Sequence, residues 1–284
     1  MIEKSTKGLQ ILEDTEFKKI ATFIENKVGI KMPMSKKLMM QSRLQARLKD
    51  LNLPSFESYV DYVFTSEFNA EKEVILLIDA ITTNLTHFYR ESNHFDYMTT
   101  HSIPALLKTG SSHLNIWSAG CSSGEEAYTL SIVLEEYKKN NPDKSFDYSI
   151  FATDISTKVL QKAKEAIYSL DSVKKLPAGV ADKYFVPYND SGKSLVKVKD
   201  EICQKIRFER LNLMEEDFCL ENTMHIIFCR NVLMYFDKTT QEAVLKKFMK
   251  YLLTGGYLFL GHSETIYNMD LPLVEVAPTI FQKI

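Results

Sequence analysis

Cysteine is scarce in this sequence, and the spacing of the cysteines excludes two common uses. The four cysteines, Cys121, Cys203, Cys219 and Cys229, form no CxxC pair and no cluster with histidine. This arrangement argues against both a zinc site and a disulfide framework. We therefore expect reduced thiols, as in the cytoplasm, and no bound metal.

Long hydrophobic runs and an excess of one charge are also missing. No apolar run reaches the roughly 18–20 residues that a membrane-spanning helix needs, and residues 1–6 are too polar for the core of a secretion signal. The 35 basic and 37 acidic residues give a net charge of −2, whereas proteins that bind duplex nucleic acid are typically basic. We expect a cytoplasmic protein that neither inserts into a membrane nor binds nucleic acid.

Helical periodicity marks the first part of the chain. Apolar side chains such as Phe17, Ile20 and Ile24 recur at intervals of three and four residues. The pattern predicts helices over 14–28 (with Gly29 closing the helix), 36–51, from about 55, and about 68–81. A chain of 284 residues has room for two domains, and we predict an all-helical domain over residues 1–80.

Short apolar runs alternate with helical stretches after about residue 112. Continuous apolar strands separated by helices indicate an α/β domain with a doubly wound parallel sheet, buried on both faces. We predict this domain over residues 113–284, after a linker at 81–112. Strand-like runs without helices between them predict a small antiparallel insertion at about 184–206, with turn residues at 189–193 and a return to the main sheet at 207–211.

A loop of small residues follows the first predicted strand and opens a helix. Ligands of doubly wound sheets bind at this edge, and we expect Gly120 and Gly124 to let the backbone approach one closely. Glu125 and Glu126 stand in the first turn of the helix, where they would repel a pyrophosphate, so the loop departs from the GxGxxG pattern. Carboxylates here suit a cationic or hydroxyl-rich ligand, or they only complement the helix dipole.

Polar residues end three later strands of the predicted sheet. Asp154 could accept the two ribose hydroxyls of an adenosine ligand, and Asn212 and Asn231 could bond adenine or an amino-acid group. Each has a structural alternative, because Asp commonly caps a helix and Asn commonly occupies a turn. The loop and the three residues together favour an adenosine site.

Three further residues are candidates for contact with a substrate. Arg90, in the predicted linker, could clamp a carboxylate through the fork geometry of its guanidinium, although a surface salt bridge is the alternative. Tyr235 and Phe236 lie just beyond a strand end, a place where aromatic residues more often belong to the core.

Four ordered motifs of the sequence resemble those of one known family, the chemotaxis receptor glutamate methyltransferases, or CheR family. The motifs are ITTNLTHFYRE at 81–91, WSAGCSSGEEAY at 117–128, FATDI at 151–155 and IFCRNVLMYFD at 227–237. The resemblance implies a domain of the S-adenosylmethionine-dependent methyltransferase fold. It also implies that this cofactor donates a methyl group to glutamate side chains of chemotaxis receptors, forming methyl esters for sensory adaptation. Cys121 departs from the family, which has a small residue at that position.

The resemblance assigns roles to individual residues. Arg90 and Tyr235 would face the reacting carboxylate, and part of the linker would contribute to the cofactor site. That site would comprise Asn84, Thr86, Arg90, Gly120, Glu125 or Glu126, Asp154, Asn212, Leu213, Asn231 and Val232.

The resemblance also implies a partner and a place in the cell. The partner would be the cytoplasmic helical bundle of a chemotaxis receptor, which would recruit the enzyme to membrane receptor arrays. The strand insertion would dock on the receptor. In some family members the insertion binds a tethering peptide, but this sequence shows no clear signature for one.

A basic segment precedes these motifs. Residues 27–50 contain seven basic residues and one acid, a net charge of +6. Lys36, Arg43 and Arg47 recur at helical spacing, and such a face is usually only solvated surface. Because the implied receptor bundle is acidic, we expect these three residues to be candidates for receptor docking.

Two other functions compete with protein methylation. Amino-methylating nucleic-acid enzymes usually carry a Pro-Pro-aromatic motif after the fourth strand, where this chain has Asn231 to Tyr235 and no proline. A non-catalytic signalling protein that binds S-adenosylmethionine is the second alternative.

Overall fold

A computed structural model describes residues 9–65, 70–174, 176–190 and 193–284. The chain divides into two compact units, one of Met1–Thr83 with Tyr235–Asp237 and the other of Asn84–Met234 with Lys238–Ile284. Three predicted features lie outside the described residues, namely the polar start at 1–6, the beginning of the fourth helix near Phe68 and the turn residues Ser191 and Gly192. Within the described ranges, no helix is long and apolar enough to cross a membrane.

The first unit is helical, as predicted. Its first helix buries Phe17, Ile20, Ile24 and Val28 on one face and ends at Gly29, whose left-handed backbone lets its N–H bond the carbonyl of Glu25. A short 3₁₀ turn at Met34–Lys36 precedes the second helix. The helices are α1 Asp14–Val28, α2 Lys37–Asp50, α3 Phe56–Thr65 and α4 Ala70–Ile81.

The second unit is the predicted α/β domain with its small antiparallel sheet. It contains a π-helical turn at Met98–Ser102, and a 3₁₀ turn at Leu233–Tyr235 ends on the first residue of the short segment that belongs to the first unit. Its helices are α5 Asn93–Tyr97, α6 Ile103–Lys108, α7 Glu125–Asn140, α8 Thr157–Glu165, α9 Leu170–Val173, α10 Val180–Tyr184, α11 Asp200–Cys203 and α12 Lys238–Tyr251. Its strands are β1 His113–Ala119, β2 Asp147–Asp154, β3 Ile167–Ser169, β4 Phe185–Asp190, β5 Lys193–Val198, β6 Ile206–Arg210, β7 Met224–Cys229, β8 Leu252–Leu260, β9 Leu273–Ala277 and β10 Ile280–Lys283.

The main sheet has seven strands in the order β6-β2-β1-β7-β8-β10-β9. Strands β6, β2, β1, β7 and β8 pair in parallel, so their carboxyl ends share one edge. The strand order reverses between β1 and β7, which is the point where doubly wound sheets bind ligands. The predicted return of residues 207–211 to the main sheet is confirmed by β6.

Burial explains the continuous apolar strands of this unit. The central strands β1 and β7 are covered on both faces, and Ile116, Trp117, Ile226 and Phe228 are fully buried. The stretches 116–119 and 226–229 of these strands are therefore almost entirely apolar, as the sequence indicated.

Two strand pairings were not predicted. Strands β9 and β10 form a hairpin, and β10 pairs antiparallel with β8. The sequence did not predict this pairing because the short run 280–283 gives little periodicity of its own. The small sheet, in the order β3-β5-β4, also gains β3 from residues directly after α8. Residues 84–112 belong to the second unit and carry α5 and α6.

Candidate functional site

Four strands bring the predicted polar residues to one edge of the sheet. Strand β1 runs into the loop at 120–124, β2 ends at Asp154, and β6 and β7 are followed by Asn212 and Asn231. Because these strands are parallel neighbours, residues far apart in sequence come to the same crevice. This arrangement is the one that the sequence predicted for an adenosine ligand.

The loop after β1 depends on two glycines for its shape. Gly120 and Gly124 have φ angles of +83° and +95°, which favour glycine. A Cβ on Gly120 would lie 2.3 Å from Cγ2 of Val232, and one on Gly124 would lie 2.9 Å from Cβ of Ala163. The space that we expected a ligand to use is thus filled by protein side chains, and a cofactor contact of Gly120 stays a prediction.

Asp154 is buried and holds the loop through both carboxylate oxygens. Its Oδ2 accepts a hydrogen bond from the backbone N–H of Ser122 at 2.9 Å, and its Oδ1 accepts one from Ser156 N–H at 2.9 Å. The predicted alternative of a helix cap does not describe this geometry fully, because Ser156 itself caps α8 through its hydroxyl. Both oxygens therefore help to fix the loop after β1 and the start of α8.

Glu125 and Glu126 have different surroundings. Glu125 accepts a hydrogen bond from the hydroxyl of Ser123 at 2.7 Å. Glu126 accepts bonds from the hydroxyl of Ser118, on β1, at 2.7 Å and from Arg230, after β7, at 3.2 Å. Burial raises the pKa of both carboxyl groups, and the charge of Arg230 acts against this at Glu126. Glu126 therefore lies where the strand order reverses.

Arg230 joins three segments around this edge. Its side chain is 1% exposed and pairs with Glu91 at 2.9 Å and with Glu126 at 3.2 Å. One guanidinium nitrogen also donates to the backbone carbonyl of Arg90. The pKa of Glu91 is lowered, because the hydrogen bond and charge of Arg230 outweigh the burial that would raise it. We call Arg230, Glu91, Glu126 and the Arg90 carbonyl the Arg230 network.

A buried carboxylate holds the segment after β7. Glu264 accepts hydrogen bonds from the backbone N–H groups of Gly261 at 2.7 Å, Asn231 at 2.9 Å and Met234 at 3.2 Å. Asn231 has a left-handed backbone with φ +59°, and its side-chain amide donates to Glu91 at 3.3 Å. The position of Asn231 is therefore fixed by two carboxylates.

The motif at 84–91 contacts the glycine loop. The carbonyl of Asn84 accepts a hydrogen bond from the hydroxyl of Ser122 at 3.1 Å. Arg90 is half-buried and donates to the carbonyl of Leu85 at 2.7 Å, within its own loop. Thr86 is half-buried between them.

The remaining predicted cofactor residues follow β6 and β7. Asn212 uses its side-chain oxygen to accept the N–H of Met214 at 3.1 Å, as the turn alternative requires. Leu213 is buried, and its carbonyl accepts from Lys247 at 2.5 Å. Val232 is half-buried against Gly120.

Tyr235 and Lys36 belong to the first unit. The ammonium of Lys36 lies 5.4 Å from the centre of the Tyr235 ring, and the Tyr235 carbonyl accepts the N–H of Lys31 at 3.0 Å. The role of Tyr235 at the reacting carboxylate stays a prediction from the family resemblance.

Two of the predicted docking residues are engaged within the helical unit. Arg43 donates to the carbonyls of Ile81 and Thr82, both at 2.8 Å. Arg47 pairs with the buried Glu73 at 2.7 Å, and hydrogen bonding to Glu73 raises its pKa. These residues are therefore more than a solvated surface, and reversing their charge would disturb the fold as well as any docking.

Among the described residues, one cluster has ligand atoms close enough together to hold a metal ion. Glu91, His94 and His262 offer atoms within 4.8 Å of one another. Glu91 already pairs with the Arg230 guanidinium, which would repel a metal ion. Burial, together with the charge of Arg230, lowers the pKa of His94 to about 4. That no metal is needed stays a prediction.

Three residues of the site had no role in the sequence-based assignment. Glu91 and Arg230 stand inside the quoted motifs. The available signal for pairing them was their opposite charges, within motifs that also contain apolar residues. Glu264 gave none, because its three partners are backbone amides.

Comparison with known proteins identifies both units. Residues 15–82 match the family model described as "CheR methyltransferase, all-alpha domain", and residues 84–279 match "CheR methyltransferase, SAM binding domain". The chain is 39% identical to a chemotaxis protein methyltransferase of Borreliella burgdorferi, with 97% of this chain and 96% of that protein covered. It is 36% identical to the one of Salmonella typhimurium, with 91% and 86% covered.

These matches span nearly the whole chain and confirm the predicted family, fold and enzyme class. The chain belongs to the CheR family of S-adenosylmethionine-dependent methyltransferases.

Proposed function

We propose that this enzyme transfers the methyl group of S-adenosylmethionine to glutamate side chains of chemotaxis receptors. The observation that carries the proposal is the strand edge, where Asp154, Glu126 and Asn231 lie together in the domain that matches the family's cofactor-binding model. The names of the relatives support receptors as the substrate class.

The proposed cofactor site uses the strand ends in order. Asp154 would accept the ribose hydroxyls, and its bonds to the amides of Ser122 and Ser156 hold the carboxylate in place at the end of β2. Asn212 and Leu213 lie beside the adenine, and Asn231, Val232, Asn84 and Thr86 complete the site. These are hydrogen-bonding and apolar groups of the kind that a nucleoside requires.

Glu126 is the better candidate of the two glutamates for the charged end of the cofactor. It bonds to Ser118 on β1 and to Arg230 after β7, so it lies at the reversal of strand order, and Arg90 acts on its charge. Glu125 interacts instead with Ser123, Lys162 and His87.

The chemistry needs orientation more than proton transfer. When bound, S-adenosylmethionine supplies a methyl group on a positively charged sulfur. A glutamate carboxylate has an ordinary pKa of about 4.3 and is ionised at neutral pH, so no base is required. The carboxylate would be the nucleophile toward that methyl group, and the leaving sulfur would keep the bonding electron pair. Arg90 and Tyr235 would orient the carboxylate and exclude water.

Receptor docking is assigned to α2 and to the small antiparallel sheet, and it would bring the enzyme to receptor arrays. Lys36, in the 3₁₀ turn before α2, is the most direct residue to test, because Arg43 and Arg47 hold the helical unit together. The variant Lys36→Glu should raise the KM for receptor and leave cofactor affinity unchanged, and an unchanged KM would contradict docking through Lys36.

Label transfer from tritiated S-adenosylmethionine to receptor-containing membranes tests the function. We expect base-labile label on the receptor, because carboxyl methyl esters hydrolyse in alkali, and no label on a receptor whose acceptor glutamates are replaced by alanine. Base-stable label would indicate another acceptor. Cofactor binding without transfer to any receptor would favour the non-catalytic alternative.

A further inference from the structure

Arg230 is placed where it cannot touch a substrate but can shape the site. Its side chain is 1% exposed, so the guanidinium lies behind the residues that line the crevice. Two of its nitrogens bond to the Glu91 carboxylate at 2.9 and 3.3 Å, and a third bonds to Glu126 at 3.2 Å. Its fork therefore joins Glu91, which lies in a loop, to Glu126, which lies on α7.

The charges of the Arg230 network depend on one another. A buried charge is stable only when it is paired and hydrogen-bonded, and here one cation faces two carboxylates. Burial raises the pKa of Glu126, as does the charge of Glu91, and the charge of Arg230 lowers the pKa of both carboxyl groups. The aromatic faces of Phe95 and Phe228, 5.5 and 5.9 Å from the guanidinium carbon, enclose it further.

Backbone strain collects at the segments that Arg230 joins. Tyr89, Glu91 and Asn231 have φ angles of +54°, +53° and +59°, a region that non-glycine residues adopt rarely. Such conformations persist where the surroundings over-determine them, typically beside functional sites. Glu91 is held here by Arg230, and Asn231 is held by Glu91 and Glu264.

The segments held in this way carry the proposed site. Arg230 donates a hydrogen bond to the backbone carbonyl of Arg90. This bond fixes the backbone of the residue whose side chain would orient the substrate carboxylate. Glu126 and Asn231 are bonded on either side of the crevice. Loss of the fork would release all three together.

We propose that Arg230 is a positioning residue for methyl transfer, which sets the relative places of Arg90, Glu126 and Asn231 through Glu91. The inference rests on the cofactor site proposed above and adds to it a residue that contacts neither cofactor nor substrate.

The chain offers a matched control for this test. Glu73 in the helical unit is also buried and also pairs with an arginine, Arg47, at 2.7 Å, but its partners lie on regular helices. The variants Glu91→Gln and Glu73→Gln therefore make the same chemical change to a buried arginine partner. Arg230→Lys is the third variant, because lysine keeps the charge and loses the fork.

The experiment measures the melting temperature, the Kd for S-adenosylhomocysteine without receptor, and kcat and KM with receptor. We expect Glu91→Gln and Arg230→Lys to weaken S-adenosylhomocysteine binding and to lower kcat/KM on the order of 10²-fold, as misplacement of reacting groups does. Glu73→Gln should lower the melting temperature with an unchanged Kd. The double variant Arg230→Met/Glu91→Met removes the buried pair. If its melting temperature is higher than those of the single variants, its kcat should still be low.

Several outcomes would overturn the proposal. These are a wild-type Kd and kcat in both site variants, losses that recover with melting temperature in the double variant, and failure of both Glu91→Gln and Arg230→Lys to fold, which would assign the pair to stability alone. If the wild type binds S-adenosylhomocysteine but methylates no receptor, the proposed function fails while the positioning role is still decided by the Kd. If the wild type does not bind it, the cofactor site itself is wrong.

Discussion

Two buried arginine–glutamate pairs, one in each unit, show how the same interaction serves different ends. In the helical unit, Arg47 of α2 and Tyr59 of α3 both bond to Glu73 of α4, and all three residues lie on regular helices. In the methyltransferase unit, Arg230 bonds to Glu91 and Glu126, and Glu91 lies in a loop with a left-handed backbone. The first pair joins helices whose formation does not depend on it. The second pair fixes the left-handed backbone of Glu91, which would otherwise relax.

The largest expected effect is the loss of methylation, and it should differ between substitutions at the two ends of β2. Asp154→Ala, at the carboxyl end of β2, should abolish methylation because it removes the proposed ribose acceptor and the partner of two loop amides. Asp147→Ala, at the other end of β2, removes an exposed partner of Lys205 and should leave turnover unchanged. Methylation assays at modest cofactor concentration compare the two, and wild-type turnover in Asp154→Ala would refute the ribose assignment.

The next effect concerns the helical pair alone. Glu73→Gln leaves the buried Tyr59 and the partly exposed Arg47 without their carboxylate. Breaking a fully buried pair typically costs about 3–5 kcal/mol, and the exposure of Arg47 places the expected loss toward the lower end of that range. Urea unfolding should show this loss in the free energy of unfolding. A change below about 0.5 kcal/mol would mean that the pair is solvated like a surface salt bridge.

A pH dependence should distinguish the second unit. His94 is fully buried, and burial and the charge of Arg230 lower its pKa to about 4. The unfolded chain, with an ordinary pKa of about 6.5, binds more protons than the folded chain between these values, so stability falls as pH drops through this window. From pH 7 to pH 5 the contribution is about 2 kcal/mol.

Urea unfolding of wild type and His94→Gln at the two pH values measures this contribution. The stability of His94→Gln should fall less between pH 7 and pH 5 than that of the wild type. Equal losses in the two proteins would assign the pH dependence to other groups, of which His225 has a pKa lowered by burial.

The smallest expected effect compares neighbouring glutamates. Glu126→Gln should weaken S-adenosylmethionine binding roughly tenfold, about 1.4 kcal/mol, because it removes a charge at the strand reversal. Glu125→Gln should change the affinity less. Calorimetric titration of both variants decides between them, and the reverse order would move the charged end of the cofactor toward Ser123.

The sequence predicted the architecture because burial leaves a direct record in it. The ends of β1 and β7 that lead to the site, 116–119 and 226–229, are buried and almost entirely apolar, and Gly29 marks the end of α1 by its left-handed backbone. The strand-end residues Asp154 and Asn231 could be placed at one edge because parallel strands share it. The acceptor class came only from the family resemblance.

Other features depended on contacts that leave no local pattern. Glu264 bonds three backbone amides, and any residue type could stand at their positions. The missing Cβ of Gly120 makes room for Val232, more than 100 positions away, a contact that the local sequence does not indicate. The roles of Arg43 and Arg47 within the helical unit likewise depend on α4 and the residues that follow it.

The position of β10 has a consequence for how the protein is made. Strand β10 lies inside the main sheet, between β8 and β9, yet residues 280–283 follow the other six strands of this sheet in the sequence and are synthesised after them. Until they leave the ribosome, β8 has a neighbour on one side only, and its apolar residues Phe259 and Leu260 border an unpaired edge. Unpaired edges invite association with other chains, so the nascent enzyme should be most vulnerable to aggregation just before translation of this segment is complete.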